Sequence, residues 1–155
     1  MAYLQTKCPD IKSNIEGEEN RCKRNSYDKR NTKSYKHFVN LVNRSKFNVQ
    51  GKMLDIGCRD GGLYEHIKEH FPLLEYIGVD IVQRHIDNAK EKNRPCQVMD
   101  WCKLDIKDET FDIVFSHHSL EHVWNPDAAC LETYRILKKG GMFLLIVPLG
   151  AKNLE

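Results

Sequence analysis

Met53-Leu54-Asp55-Ile56-Gly57-Cys58-Arg59-Asp60-Gly61-Gly62 is a short apolar run that ends in an acid and then breaks into a glycine-rich turn. It continues into Leu63-Tyr64-Glu65-His66-Ile67-Lys68-Glu69-His70, which has the residues of a helix. Strand, glycine turn and helix in that order form the repeating unit of a doubly wound α/β sheet, where ligands sit at the carboxyl ends of the strands. A tight turn with no ligand would use the same glycines, so the surrounding chain has to decide between the two.

Downstream, the pattern repeats. Pro72 stops the helical spacing, and Glu75-Tyr76-Ile77-Gly78-Val79-Asp80-Ile81 reads as a second buried strand ending in an acid. A helix over 82–93, with Ile86 and Ala89 inward, closes at Pro95 before a short third strand, Gln97-Val98-Met99-Asp100-Trp101. Phe111-Asp112-Ile113-Val114-Phe115-Ser116 is the fourth apolar run. Asn125-Pro126-Asp127 opens a helix over 126–138, because proline is tolerated and an acid favoured in a first helical turn. Lys138-Lys139-Gly140-Gly141 has the cations and glycine of a helix end, and Met142–Pro148 is the fifth strand. Strands alternating with helices require parallel pairing through right-handed crossovers. The expectation is a Rossmann-like three-layer α/β sandwich with a mostly parallel sheet of about five strands in the order 3-2-1-4-5.

Upstream, Tyr35, Phe38, Val39 and Val42 fall at i, i+3, i+4 and i+7, one face of a helix spanning about Tyr27 to Phe47. Residues 1–26 are polar without sustained period and read as an N-terminal arm, leaving 27–155 as a single domain. The 155 residues, 41% hydrophobic and 30% charged, are enough for one domain with a real core. No apolar run reaches the ~20 residues of a membrane span, and Met1–Lys7 lacks the apolar core of a signal peptide, so the expected location is cytoplasmic. Cys8, Cys22, Cys58, Cys96, Cys102 and Cys130 show no Cys-x-x-Cys spacing and are expected as reduced thiols, with no metal site among them. Net charge is only +2, yet residues 21–46 hold nine Lys or Arg against Asp28 alone. That asymmetry suits an anionic partner, nucleic acid or an anionic substrate, and equally a solvated face.

With the strands placed, residues 35–148 resemble a class I S-adenosylmethionine-dependent methyltransferase of the small type-11 group, which includes many small-molecule methyltransferases. The likeness rests on Leu54-Asp55-Ile56-Gly57-Cys58-x-x-Gly61, Tyr76-Ile77-Gly78-Val79-Asp80, Phe111-Asp112-Ile113-Val114 with Ser116 and Leu120-Glu121-His122-Val123, and Arg135-Ile136-Leu137-Lys138-x-Gly140-Gly141. The resemblance implies methyl transfer from S-adenosylmethionine, leaving S-adenosylhomocysteine. It implies cofactor-binding roles for Asp55, Gly57, Cys58 and Gly61 at the methionine moiety and for Asp80 and Ile81 at the ribose. Asp100 and Trp101 would flank the adenine, and Ser116 and His117 would close over the methionine. An ionised Asp80 suits two hydroxyls because it can accept two donors at once.

Three departures stand out. Arg59 occupies a place where the family most often has glycine, at a cost of roughly 1–2 kcal/mol if the backbone there needs φ > 0. Ser116-His117-His118-Ser119 replaces the Asn/Asp-Pro-Pro-Tyr of enzymes that methylate nucleic-acid amino groups. The family's last two strands have no counterpart, so the fifth strand is expected to be an apolar edge covered by a homodimer mate or a partner chain.

His118, His117 and His122 are the candidate bases, needed only if the acceptor must lose a proton. Three other readings compete. A methyltransferase-like module could bind the cofactor without turnover. A nicotinamide-binding enzyme would expect Gly-x-Gly-x-x-Gly, whose middle glycine is again Arg59. His118-Ser119-Leu120-Glu121-His122 also spells a zinc-hydrolase motif, if those residues lie on a helix.

Overall fold

The computed structural model describes residues 27–148, with side chains from Thr32 onward. The expected polar arm over 1–26, most of the basic cluster's first half, and residues 149–155 lie outside the described residues.

The chain begins with α1 (Tyr27–Ser45) and enters the sheet at β1 (Gly51–Ile56); then follow α2 (Tyr64–His70), β2 (Leu74–Asp80), α3 (Gln83–Glu91) and β3 (Cys96–Val98). The second half comprises β4 (Phe111–His117), a 3-10 turn (Leu120–His122), α4 (Pro126–Ile136) and β5 (Leu137–Ile146). The strands lie in the order β3-β2-β1-β4-β5 and every pairing is parallel, as the alternation of elements predicts. The order reverses direction between β1 and β4, which is where a doubly wound sheet opens a crevice for a ligand.

Both faces of the sheet are buried, so the strands alternate between two cores rather than between core and solvent. Met53 and Ile113 pack with Phe38 and Val42 of α1, Ile67 of α2 and Ile86 of α3. Leu54, Ile56 and Val114 pack on the opposite face with Ala129 and Ile136 of α4 and with Trp101 and Leu104. The α1 stripe read from the sequence is thus an inward face: Phe38 is fully buried, and its ring meets Phe115 and Phe71 edge to face at 5.4 and 5.5 Å. At α4, Asn125 is the N-cap, its Oδ1 accepting the Ala128 amide at 3.0 Å ahead of Pro126.

Two boundaries depart from the sequence reading. β3 spans only Cys96–Val98, and Met99-Asp100-Trp101 instead turns away, held by a bridge between Asp100 and Lys103. The helix expected to run to Lys138 stops at Ile136, and Lys138-Lys139-Gly140-Gly141 belongs to the start of β5. Leu137 is already extended and pairs with Phe111, whereas Met142 pairs with Ile113, so the intervening residues loop out as an irregularity with Gly140 at φ +78°. Lys138 then folds back to donate to Asp112 Oδ2 at 2.7 Å, and the same oxygen accepts the Lys52 amide at 2.8 Å. Among the described residues β5 pairs with β4 alone, and no helix is long and apolar enough to cross a membrane.

Candidate active site

The carboxyl ends of β1, β2 and β4 converge on two adjoining hollows that share Gly57, Arg59 and His118. The turn after β1 is shaped by its backbone. Gly57 takes φ +76°, and a side chain there would run into the Ser119 hydroxyl. Arg59 takes φ +55°, a left-handed conformation normally left to glycine. The Arg59 amide donates to Asp80 Oδ2 at 2.8 Å, tying the turn to the end of β2. Oδ1 of the same carboxylate accepts the Val82 amide at 2.9 Å and contacts His85 Nδ1 at 3.0 Å, so a buried acid organises both the glycine turn and the entry to α3.

The first hollow, about 820 Å³ of open space, lies over β2 and the segment after β3, with Asp80, Ile81, Met99, Asp100, His122 and Trp124 on its walls. Its surface is mostly apolar, with two acids at one end. Asp100 Oδ1 accepts the Cys102 amide at 2.9 Å, which fixes the turn that follows it. The Trp124 indole N–H is buried without a partner.

The second hollow lies between α1 and the ends of β1 and β4, with Lys33, Ser34, Asp55, Cys58, Phe115 and His117 around it. Asp55 accepts the Tyr76 hydroxyl at 2.7 Å. Burial pushes its carboxyl up to about 7, although the Tyr76 bond opposes the shift. His117 has partners at both ring nitrogens: Ser34 Oγ lies 2.8 Å from Nδ1 and His37 Nδ1 lies 2.8 Å from Nε2. Burial, reinforced by His118, His37, Lys33 and Arg59, lowers its pKa to about 4, so the ring is neutral at physiological pH. Cys58 is buried with Cys96 across Gly78, and both are free thiols; burial pushes the Cys58 thiol well up.

Most of the residues expected at the site line one hollow or the other. Gly57, Asp80, Ile81, Asp100, Trp101, His118 and His122 line the first; Asp55, Gly57, Cys58, His117 and His118 line the second. Gly61 and Ser116 line neither. At Gly61, φ +68°, a side chain would meet Cys96 Sγ at 2.5 Å, so packing against β3 is what demands glycine there. Ser116 is fully buried with its hydroxyl unpartnered. Trp101 lines the first hollow as expected, while its indole N–H donates to Thr133 Oγ1 at 2.8 Å and its ring meets Phe143 edge to face. Ile81 and Met99 add an apolar wall beside Asp100.

Lys33, part of the basic 21–46 cluster expected to suit an anionic partner, lines the second hollow; sequence reasoning passes over Ser34, beside it, and His37, which α1 brings against His117. It also misses Met99 and Trp124, each one residue from a position that carries a signal, Asp100 and Val123. The zinc reading needed His118 and His122 on one helical turn. Instead, His118 lies outside a 3-10 turn with φ +55°, and the two rings lie 3.4 and 3.8 Å from the same Glu121 oxygen.

A parallel sheet in this order, with a cleft at its reversal point and acids at the ends of β1 and β2, is the architecture of a Rossmann-like α/β methyltransferase. Residues 54–145 match the sequence model of the family described as methyltransferase domain, and the chain belongs to that family. An uncharacterised methyltransferase of Schizosaccharomyces pombe is 35% identical over 103 residues, covering 58% of this chain and 37% of that protein. Cycloartenol-C-24-methyltransferase 1 of Oryza sativa subsp. japonica is 32% identical over 119 residues, covering 72% and 34%. Among solved structures, Haemonchus contortus phosphoethanolamine N-methyltransferase 2, in complex with phosphomonomethylethanolamine and S-adenosylhomocysteine, superposes with a TM-score of 0.62. It is 27% identical over 70% of this chain and 27% of that one. The chain thus spans about a third of the length of the curated relatives it matches.

Proposed function

We propose that the chain binds S-adenosylmethionine across the two hollows and directs its methyl group to an acceptor held beneath α1. The observation that carries this reading is the pair of hollows meeting at Gly57, one setting Asp80 and Asp100 against the apolar Ile81 and Met99, the other gathering Lys33, Ser34, Asp55 and His117. The donor set fits the cofactor: an adenosine needs an apolar slot with acceptors for its hydroxyls and amino group, and Ile81, Met99, Asp80 and Asp100 supply these. Asp80 already accepts from Arg59, Val82 and His85, which leaves about one of a carboxylate's roughly four acceptor sites for a hydroxyl. Asp55, Gly57 and Cys58 are assigned to the methionine end, and His117 and His118 to the junction with the acceptor. When bound, the cofactor supplies a methyl group on a positively charged sulfur; the chain's task is to hold the acceptor in line and keep water out.

The acceptor is assigned to the small anionic class, because Lys33 and Arg59 line the second hollow and, among the described residues, no carboxylate is paired with either side chain. We further place a second copy of the chain on the free edge of β5, where two copies could satisfy each other's unpaired backbone groups about a two-fold axis. A cytoplasmic location fits the unbridged contact of Cys58 and Cys96 across Gly78.

Calorimetry with S-adenosylmethionine and S-adenosylhomocysteine, followed by transfer of a labelled methyl group to a panel of phosphorylated and carboxylated acceptors, tests the reading. Binding of both cofactor forms and labelling of an anionic acceptor is the expected result. Absence of cofactor binding would overturn the reading, and binding without turnover on any acceptor would leave a cofactor-binding module in its place.

A further inference from the structure

The unassigned feature of the second hollow is the chain of contacts leading out of it through α1. Ser34 and His117 both line the hollow, and His37 is bonded to the far ring nitrogen of His117, with both Oγ···Nδ1 and Nε2···Nδ1 separations at 2.8 Å. A neutral imidazole has one N–H and one lone pair, so the two contacts cannot be set independently. If His117 carries its proton on Nε2, it donates to His37 and must accept from the Ser34 hydroxyl, whose oxygen then offers a lone pair to the hollow. If the proton is on Nδ1, His117 donates to Ser34 and accepts from His37, and the Ser34 proton is free to point into the hollow.

We propose that Ser34, His117 and His37 form a proton relay that leads from the second hollow to His37 of α1, so that the acceptor is a nucleophile bearing an O–H or N–H rather than a carbon. The proposal rests on the methyl-transfer reading above. An acceptor oxygen or nitrogen taking the methyl group gives its proton to Ser34 Oγ. The Ser34 hydroxyl proton passes to His117 Nδ1, and the His117 Nε2 proton passes to His37 Nδ1. Ser34 and His117 each end with as many protons as they began with, and His37 becomes imidazolium. The electron pair of the broken carbon–sulfur bond stays on sulfur, so one positive charge disappears there and one appears on His37.

The groups facing His117 suit passage and not storage. Lys33 and His37 approach from α1, Arg59 from the glycine turn and His118 from its own segment, and among the described residues no carboxylate is paired with the ring. The Phe115 ring stacks at 6.3 Å and closes another side. A proton resting on His117 would sit among cations in a half-buried site, which favours handing it on to His37.

The test follows ring tautomers in ¹⁵N-histidine-labelled protein by long-range proton–nitrogen spectra between about pH 5 and 8, assigned with His37→Gln and His117→Asn. The expected result is a His117 ring that stays neutral while its N–H moves from Nε2 to Nδ1 in step with protonation of His37. A His117 ring that keeps one tautomer through that titration, or that takes up the proton itself, would overturn the relay. With an acceptor from the labelled-methyl panel, Ser34→Ala should lower kcat by about 10²-fold with KM within about twofold, and Ser34→Thr should restore most of it. Full turnover by Ser34→Ala would overturn the proposal equally. Binding of S-adenosylhomocysteine is the control: its absence in the unsubstituted protein defeats the methyl-transfer reading, whereas intact binding with uncoupled histidines defeats the relay alone.

Discussion

At the scale of single residues, Arg59 sets a cost against a use. Its φ of +55° places a side chain in a conformation that disfavours one by roughly 1–2 kcal/mol, while its guanidinium faces both hollows. Arg59→Gly should therefore raise stability by about 1 kcal/mol in chemical denaturation and weaken binding of anionic acceptors. A destabilised glycine variant would mean that the side chain contributes packing that outweighs the backbone. Asp55 and His117 form a second residue-scale case, because their shifts act in opposite directions. Asp55, raised to about 7 by burial, is protonated in the folded chain where the unfolded chain is ionised, so its contribution to stability falls as pH rises from about 4 to 7. His117, lowered to about 4, is neutral in the folded chain where the unfolded chain is charged, so its contribution rises between about pH 4 and 6.5. The two slopes offset each other in the parent protein. Asp55→Asn should expose the rising slope and His117→Asn the falling one, read as urea midpoints across that range; parallel profiles in both variants would contradict the assignment.

At the scale of elements, what the sequence made legible was the order and burial of strands, because an apolar run ending in an acid has few other uses. The start of β5 was not legible. Cations followed by glycine mark a helix end, but they also suit a strand irregularity, and the choice was made by Asp112, whose carboxylate draws in Lys138 and the Lys52 amide. Partial burial works against ionisation of Asp112, but the Lys138 ammonium and the Lys52 amide outweigh it and hold the carboxyl below its usual range. Asp112→Ala should cost about 1–2 kcal/mol at neutral pH, since it orphans an amide and a cation at the feet of β1 and β5. The depressed pKa means that this stabilisation is present above the unfolded value and is lost as pH falls, so the gap between variant and parent should close below about pH 4. A gap that persists in acid would point to packing and not charge. The anchoring of Trp101 was illegible for a related reason: its position beside Asp100 placed it at the first hollow, but the partner of its indole N–H, Thr133, comes from α4.

At the scale of the molecule, the sheet leaves β5 as an edge among the described residues, with Met142, Phe143, Leu145 and Ile146 only partly buried. Sedimentation over a range of concentrations should show a dimer, and a clean monomer at every concentration would remove the second copy from the reading. The larger division is between the two hollows. The first is built by β1, β2 and the segments following β2, β3 and β4, and no described side chain of α1 lines it. The second owes Lys33 and Ser34 to α1, and His37 stands behind them. The stretch matched by the family model begins at Leu54, after α1 has ended. On the proposed reading, substitutions in α1 would alter the α1 wall of the second hollow, where the acceptor is assigned, and leave the described lining of the first hollow unchanged. The family match over 54–145 leaves α1 out, so on that reading membership in the family carries no information about the acceptor.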